Sequence, residues 1–207
     1  MSEATFYYPQ KMGRVILQGM EEVMGRNGLS GVLRLNSLEG IALNFPPASN
    51  ERTFSFKTVS DIQTAFELAY GPRGGRGVAL RVGRASFKYG LKEYGSMLGL
   101  TEMAFRLLSL STKLHVGTNT FADLFNKHTD QKVQIEEQDN KILWHIERCP
   151  LCWDRKAEEP ICHLAVGLIQ EALYWVSGGK VFNVEETNCI ANGGAVCTIV
   201  IDKNPIL

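Results

Sequence analysis

All five cysteines of this 207-residue chain lie between residues 149 and 197, and the first 148 residues contain none. Such clustering points to a shared chemical or packing requirement. Cys162 stands at the start of an apolar-periodic stretch that reads as a helix. Cys189 and Cys197 flank Ala191-Asn192-Gly193-Gly194, a turn between two β-like segments. A three-residue loop at Asn192-Gly193-Gly194, with Gly194 in the left-handed position, sets Cys189 and Cys197 directly opposite each other. Two facing thiols and a third from a helix N-terminus supply three soft ligands, and a carboxylate could be the fourth. Tetrahedral zinc accepts that set. The helix dipole favours the thiolate form. The competing reading is five buried free cysteines acting as small apolar side chains.

Cys149-Pro150-Leu151-Cys152 has the spacing of a zinc knuckle. This pair could join the metal site, form a redox couple or be structural. A single zinc ion does not accommodate five thiolates and a carboxylate, so ligation by the pair would require a different assignment. No Cys-x-x-Cys-His haem attachment exists, because Trp153 follows Cys152. Histidines 115, 128, 145 and 163 read as ordinary polar residues, with His163 placed to shape the surroundings of Cys162.

Three segments together resemble the 4-vinyl-reductase-type domain, also called the hydrocarbon-binding domain. They are Pro160-Ile-Cys162-His-Leu-Ala-Val-Gly167, Glu186-Thr-Asn-Cys189-Ile-Ala-Asn-Gly193, and Cys197. The resemblance is closest over about residues 141–203 and extends loosely to Arg76–Arg84. The same domain is similar to sensors of phenol-responsive activators and to small subunits of the TRAPP tethering complex. The resemblance implies a zinc site of three cysteines and one glutamate, here Cys162, Glu186, Cys189 and Cys197. Strand alternation sets Glu185, not Glu186, on the face of Cys189, so Glu186 requires a bulge or strand end there. Gly193-Gly194 departs from the Gly-His or Gly-Asp of many relatives.

The resemblance implies a binding module for a hydrophobic small molecule such as a tetrapyrrole, phenolic or fatty-acid-like ligand. The alternative it implies is a reductase, or an accessory factor, acting on the 4-vinyl (8-vinyl) group of a bacteriochlorophyll precursor. Gly75-Arg76-Gly77 is followed by Leu80 where a dinucleotide fingerprint needs glycine, and no Gly-Lys-Ser/Thr or Gly-x-Ser-x-Gly occurs. These absences weigh against a self-sufficient NAD(P)H reductase, and whether any reaction is catalysed stays open. Candidate lining residues for an apolar pocket are Phe66, Met97, Phe105, Phe121, Phe125, Trp144 and Trp175. With little sequence after Ile201 for an output domain, any signal is expected to pass to a partner through a homodimer.

The rest of the chain must position these groups. Its length fits one domain, residues 1–207. Twenty-two basic residues balance twenty-two acidic ones, which gives no general pull toward nucleic acid or membrane surfaces. Hydrophobic residues at 44% and charged ones at 21% fit a globular chain. An odd cysteine count and no export signal fit a cytoplasmic location, and no apolar run is long enough for membrane insertion.

Residues 1–10 read as loosely structured, and helical spacing spans about 11–26 with a stop at Asn27-Gly28. Residues 29–50 read as a flexible connector covering a pocket. Helices follow over about 58–71 and 74–91, the latter bearing a basic face from Arg73 to Lys92. Glycines 83, 90, 95 and 99 within this pattern suggest close approaches. Apolar character continues through Met103, Phe105, Leu107 and Leu110, and a helix around Phe121–Phe125 ends before Lys127. Alternation then predicts a hairpin at Val133–Ile146, a helix over Pro160–Val176, and a hairpin of Val181–Ile190 with Val196–Ile201. The fold class is α+β, helices on one face of an antiparallel sheet, with strand-strand-helix-strand-strand at the C-terminus.

Overall fold

The computed structural model describes residues 5–98, 105 and 107–206. Among the expected features, Gly99 and Met103 lie outside the described residues. The chain runs β1 (Tyr7–Pro9), α1 (Gln10–Arg34), α2 (Glu39–Leu43), β2 (Arg52–Ser55), α3 (Phe56–Leu98) and α4 (Leu110–His128). It continues through β3 (Lys132–Glu137), β4 (Lys141–Arg148), α5 (His163–Ser177), β5 (Phe182–Asn188), a 3-10 turn at Ile190–Asn192 and β6 (Cys197–Pro205). The α+β class and the C-terminal strand-strand-helix-strand-strand order are as the sequence implies. The four C-terminal strands form one antiparallel sheet in the order β3-β4-β6-β5. No helix among the described residues is long and apolar enough to cross a membrane.

The N-terminal half is more ordered than its composition suggests. Tyr7 and Tyr8 pair with Ser55 and Phe54 in a two-stranded ribbon. Asp130 anchors that ribbon by accepting the Tyr7 N–H at 2.8 Å and pairing with Arg52 at 3.0 Å. Helix α1 does not stop at Asn27-Gly28. It bends at Gly25, whose φ of 71° suits glycine, and resumes to Arg34. The resumed turn sends Leu29, Val32 and Leu33 into the core, so the expected flexible connector begins only after Leu35. Helix α3 bends likewise at Gly71 (φ 69°) before Pro72, then runs unbroken to Leu98. Its basic face is solvated: Arg84 donates to Gln170 and Lys88 pairs with Glu22 at 2.9 Å.

Helix α5 presents Leu164, Ile169, Leu173 and Val176 to the interior at helical spacing. It ends at Gly178 in the left-handed conformation (φ 78°), and Gly179 N–H closes the cap on Tyr174 O at 2.8 Å. Its crossing with α3 is unusually close. A Cβ at Gly83 would stand 2.1 Å from Leu164 O, and one at Gly167 would stand 2.1 Å from Leu80 O. Each glycine therefore admits the other helix's backbone.

Gly83→Ala and Gly167→Ala are each expected to destabilise the protein by roughly 1–3 kcal/mol through forced separation of the helices. Gly77→Ala, at an exposed helical position with nothing within 4 Å, should be neutral or stabilising. Denaturant midpoints of the three variants check this; equal midpoints would contradict the close-crossing account.

Candidate metal centre and apolar cavity

The five cysteines converge from three directions. Cys149 and Cys152 lie in the turn after β4, Cys162 is the residue that opens α5, and Cys189 and Cys197 belong to the β5–β6 hairpin. All five are buried and none forms a disulfide. Cys162 Sγ lies 3.5 Å from Cys149 Sγ, 3.7 Å from Cys189 Sγ and 3.8 Å from Cys197 Sγ. Cys197 Sγ lies 3.4 Å from Cys152 Sγ and 3.7 Å from Cys189 Sγ.

The hairpin achieves the convergence differently from its expected loop. The register Asn188↔Thr198, continued by one residue, sets Cys189 opposite Cys197. The left-handed residue is Gly193 (φ 96°) rather than Gly194, because the 3-10 turn at Ile190–Asn192 occupies part of the loop. Gly194 instead donates its N–H to Cys189 O at 2.9 Å. A Cβ at Gly194 would stand 2.4 Å from Asn188 Oδ1.

The parity of β5 shifts between Glu186 and Asn188, where the pairing register slips. Phe182, Val184 and Glu186 all point inward before the slip, and Cys189 points inward after it. Thus Glu186 is buried at 7% exposure while Glu185 faces solvent. One Glu186 oxygen accepts the Cys162 N–H at 2.6 Å. The other is buried with no hydrogen-bond partner among the described residues. A carboxylate oxygen in that state is costly unless a proton or a cation joins it. Burial, and then the charge of Cys189, push the Glu186 carboxyl up to about 8. Contacts with its neighbouring thiols, Cys149 foremost, hold Cys162 well above the usual thiol range and Cys152 below it.

Two four-residue groups have ligand atoms that all lie within 4.8 Å of one another: Cys162, Glu186, Cys189 and Cys197, and Cys149, Cys152, Cys162 and Cys197. A tetrahedral ion with zinc–sulfur bonds of about 2.3 Å holds its sulfurs about 3.8 Å apart, close to the spacings here. The partnerless Glu186 oxygen and the soft donor set fit such an ion. A buried cluster able to hold a metal is therefore present.

Beside it lies a cavity of about 90 Å³ between α1, α3, α4, α5 and the sheet. Of the residues expected to line a pocket, Phe121, Phe125 and Trp144 are on its wall. Phe66 is fully buried in the main core, Phe105 packs with Leu98 and Val176, Trp175 packs against that same group, and Met97 is 49% exposed. Choosing large aromatics selects for size, whereas the cavity occurs where the helices fail to meet. Its other walls include Met12 and Ile16 of α1, Leu168 and Ile169 of α5, and Tyr8 and Gln131, which are hydrogen-bonded to each other. The helical stripe on α1 is visible in the sequence, but only as core.

Leu151 and Leu164 also line the cavity. Leu151 lies between Cys149 and Cys152, and Leu164 is two residues past Cys162, so the cysteine cluster fixes part of the cavity wall. The hydroxyls of Ser86 and Tyr94, both residues of the wall, are buried without hydrogen-bond partners among the described residues. Burial raises the Tyr94 phenol, which keeps it protonated at neutral pH. None of the four histidines lines the cavity. Burial, with Arg76 and Arg155 nearby, lowers His163 to about 4. His145 bonds Thr198 at 3.0 Å, and His115 contacts Glu137.

The resemblance read from the sequence holds: residues 144–203 match the family model of the 4-vinyl-reductase-type domain. No curated protein matches the chain. Among solved structures, it is similar to a doubly substituted Tt H-NOX at 13% identity and TM-score 0.57, covering 96% of this chain and 97% of that one. It is similar to the Fe(II) unliganded H-NOX protein from K. algicida at 14% identity and TM-score 0.53, covering 93% and 96%. The phenol-responsive sensory domain of the transcription activator PoxR, solved with phenol, aligns at 15% identity and TM-score 0.49 over 73% and 77%. The H-NOX likenesses extend the shared fold beyond the matched segment to nearly the whole chain.

With every thiol buried, Ellman's reagent should react only slowly with the native protein and titrate five thiols once it is unfolded in guanidinium. Immediate native-state reaction of two or more would contradict the packed cluster.

Proposed function

We propose that this protein is a binding module for a small apolar molecule carrying one polar group, with a structural zinc ion bracing the wall of the binding cavity. The observation that carries this reading is the shared wall: Leu151 and Leu164 belong at once to the cysteine cluster and to the cavity. The cavity is walled almost wholly by apolar side chains, the ordinary surroundings of a small-molecule site. The free hydroxyls of Ser86 and Tyr94 are suited to one hydroxyl, carbonyl or carboxyl group of the guest. On the scale where one water needs about 10–15 Å³, the cavity takes a guest the size of several waters. That favours a phenolic or a short acyl chain over a tetrapyrrole, which would require the helices to part. The match to the 4-vinyl-reductase-type domain supports the same reading.

The zinc ligands in this reading are Cys162, Glu186, Cys189 and Cys197. Four protein ligands leave no open position for substrate, so the ion serves the fold. It neutralises the buried carboxylate, joins the tip of α5 to the β5–β6 hairpin and holds Leu164 against the cavity.

Two outcomes test the reading. Gly90 lies on the cavity wall with its nearest neighbour, Val15 Cγ1, 3.9 Å from a Cβ position, so a longer side chain there enters the cavity. Gly90→Leu should weaken displacement of a nonpolar fluorescent dye by phenol or hexanoate at least about tenfold, a loss of about 1.4 kcal/mol, without loss of helical circular dichroism. Unweakened displacement would place the guest elsewhere. Cys197→Ala should abolish the metal found by elemental analysis and lower Tm by about 5–10 °C. Unchanged metal content would refute the zinc assignment.

A further inference from the structure

The single-ion reading leaves two buried thiols unexplained. An ion held by Cys162, Glu186, Cys189 and Cys197 leaves Cys149 and Cys152 idle, although Cys149 Sγ is 3.5 Å from Cys162 Sγ and Cys152 Sγ is 3.4 Å from Cys197 Sγ. An ion held instead by the four cysteines 149, 152, 162 and 197 leaves Cys189 idle and the Glu186 oxygen without a partner. The two donor groups are each complete, and they overlap in Cys162 and Cys197 alone.

We propose that the cluster binds two divalent d¹⁰ metal ions, bridged by the thiolates of Cys162 and Cys197. Cys149 and Cys152 complete the first ion's tetrahedron, and Cys189 and Glu186 complete the second. Two four-coordinate ions sharing two bridging ligands need six donors, the number that five cysteines and one glutamate provide. The Cys162–Cys197 spacing of 3.8 Å is the common edge of the two tetrahedra. This inference rests on the proposed structural metal site and adds a second ion to it.

Electrostatics favours the second ion. One dication cannot offset six anionic donors in a buried site, so a single ion would require idle groups to stay protonated. Two dications leave a residual charge of minus two, and the local backbone is arranged to meet it. Ile190 N–H donates to bridging Cys197 Sγ at 3.3 Å, Cys162 N–H donates to Glu186 at 2.6 Å, and the N-terminus of α5 opens at bridging Cys162. An iron–sulfide cluster fits less well. Its irons and inorganic sulfides stand between the cysteines and would hold the sulfurs well apart, whereas here they touch.

The test is metal stoichiometry on the full chain. Titration of the reduced, metal-free protein with Cd²⁺, followed by sulfur-to-metal charge-transfer absorbance and native mass spectrometry, should saturate at two ions per chain. ¹¹³Cd NMR of that form should give two resonances coupled through shared sulfur. Saturation at one ion overturns the binuclear inference and leaves the structural metal intact; no binding overturns both. The double variant Cys149→Ala/Cys152→Ala should retain one ion, and retention of two would also overturn the assignment. Should that variant fail to fold, the wild-type titration decides by itself. Iron with acid-labile sulfide in protein taken from its host would overturn the proposal as well.

Discussion

Five sulfurs and one carboxylate, buried within contact of one another, impose the constraint around which the C-terminal half is arranged. A partnerless buried carboxylate oxygen is expensive, and closely packed thiols cannot all ionise together without a cation. The segments bearing them are far apart in sequence, so the site forms only when the β4 turn, the tip of α5 and the β5–β6 hairpin are all in place. The slip in register before Asn188 is the local expression of this demand. It gives up regular ladder pairing at one residue to bring Glu186 and Cys189 to the same face.

The cluster acts on the rest of the molecule through its neighbours in sequence. Leu151 is carried by the Cys149–Cys152 turn and Leu164 by the first turn of α5, and both end on the cavity wall. The backbone of α5 is also pressed against α3 at Gly83 and Gly167. The helix is therefore fixed at its start by the cluster and along its length by a backbone contact. A cavity persists beside such a pair because the side chains that could fill it are held by rigid elements that cannot collapse inward. Its free hydroxyls and apolar walls are then available to a guest.

The helical layer reaches its shape through two glycine bends. Gly25 and Gly71 each adopt a positive φ within what is otherwise continuous helix. Each bend lets one segment serve two faces of the core without a long connecting loop. Sequence periodicity registers such bends as an end, which is why it stops α1 near Asn27 and makes residues 29–50 a connector. The ribbon of β1 with β2 is invisible to it for a related reason. Its strands are only three and four residues long, and pairing partners nearly fifty residues apart leave no local signature.

What the amino-acid order settled alone was local and periodic. It set the C-terminal hairpins, the α5 helix with its Gly178 stop, the clustering of cysteines, and the resemblance carried by Cys162, Glu186, Cys189 and Cys197. Each follows from side-chain alternation, turn chemistry or spacing along a short stretch. The choice between Glu185 and Glu186 was beyond it, because a one-residue slip reverses every later side chain and depends on the partner strand. The place of Cys149 and Cys152 against Cys162 and Cys197 was beyond it too, as was the separation of cavity wall from plain core among the large aromatics. Those depend on distances between elements remote in the chain, and only tertiary packing fixes them.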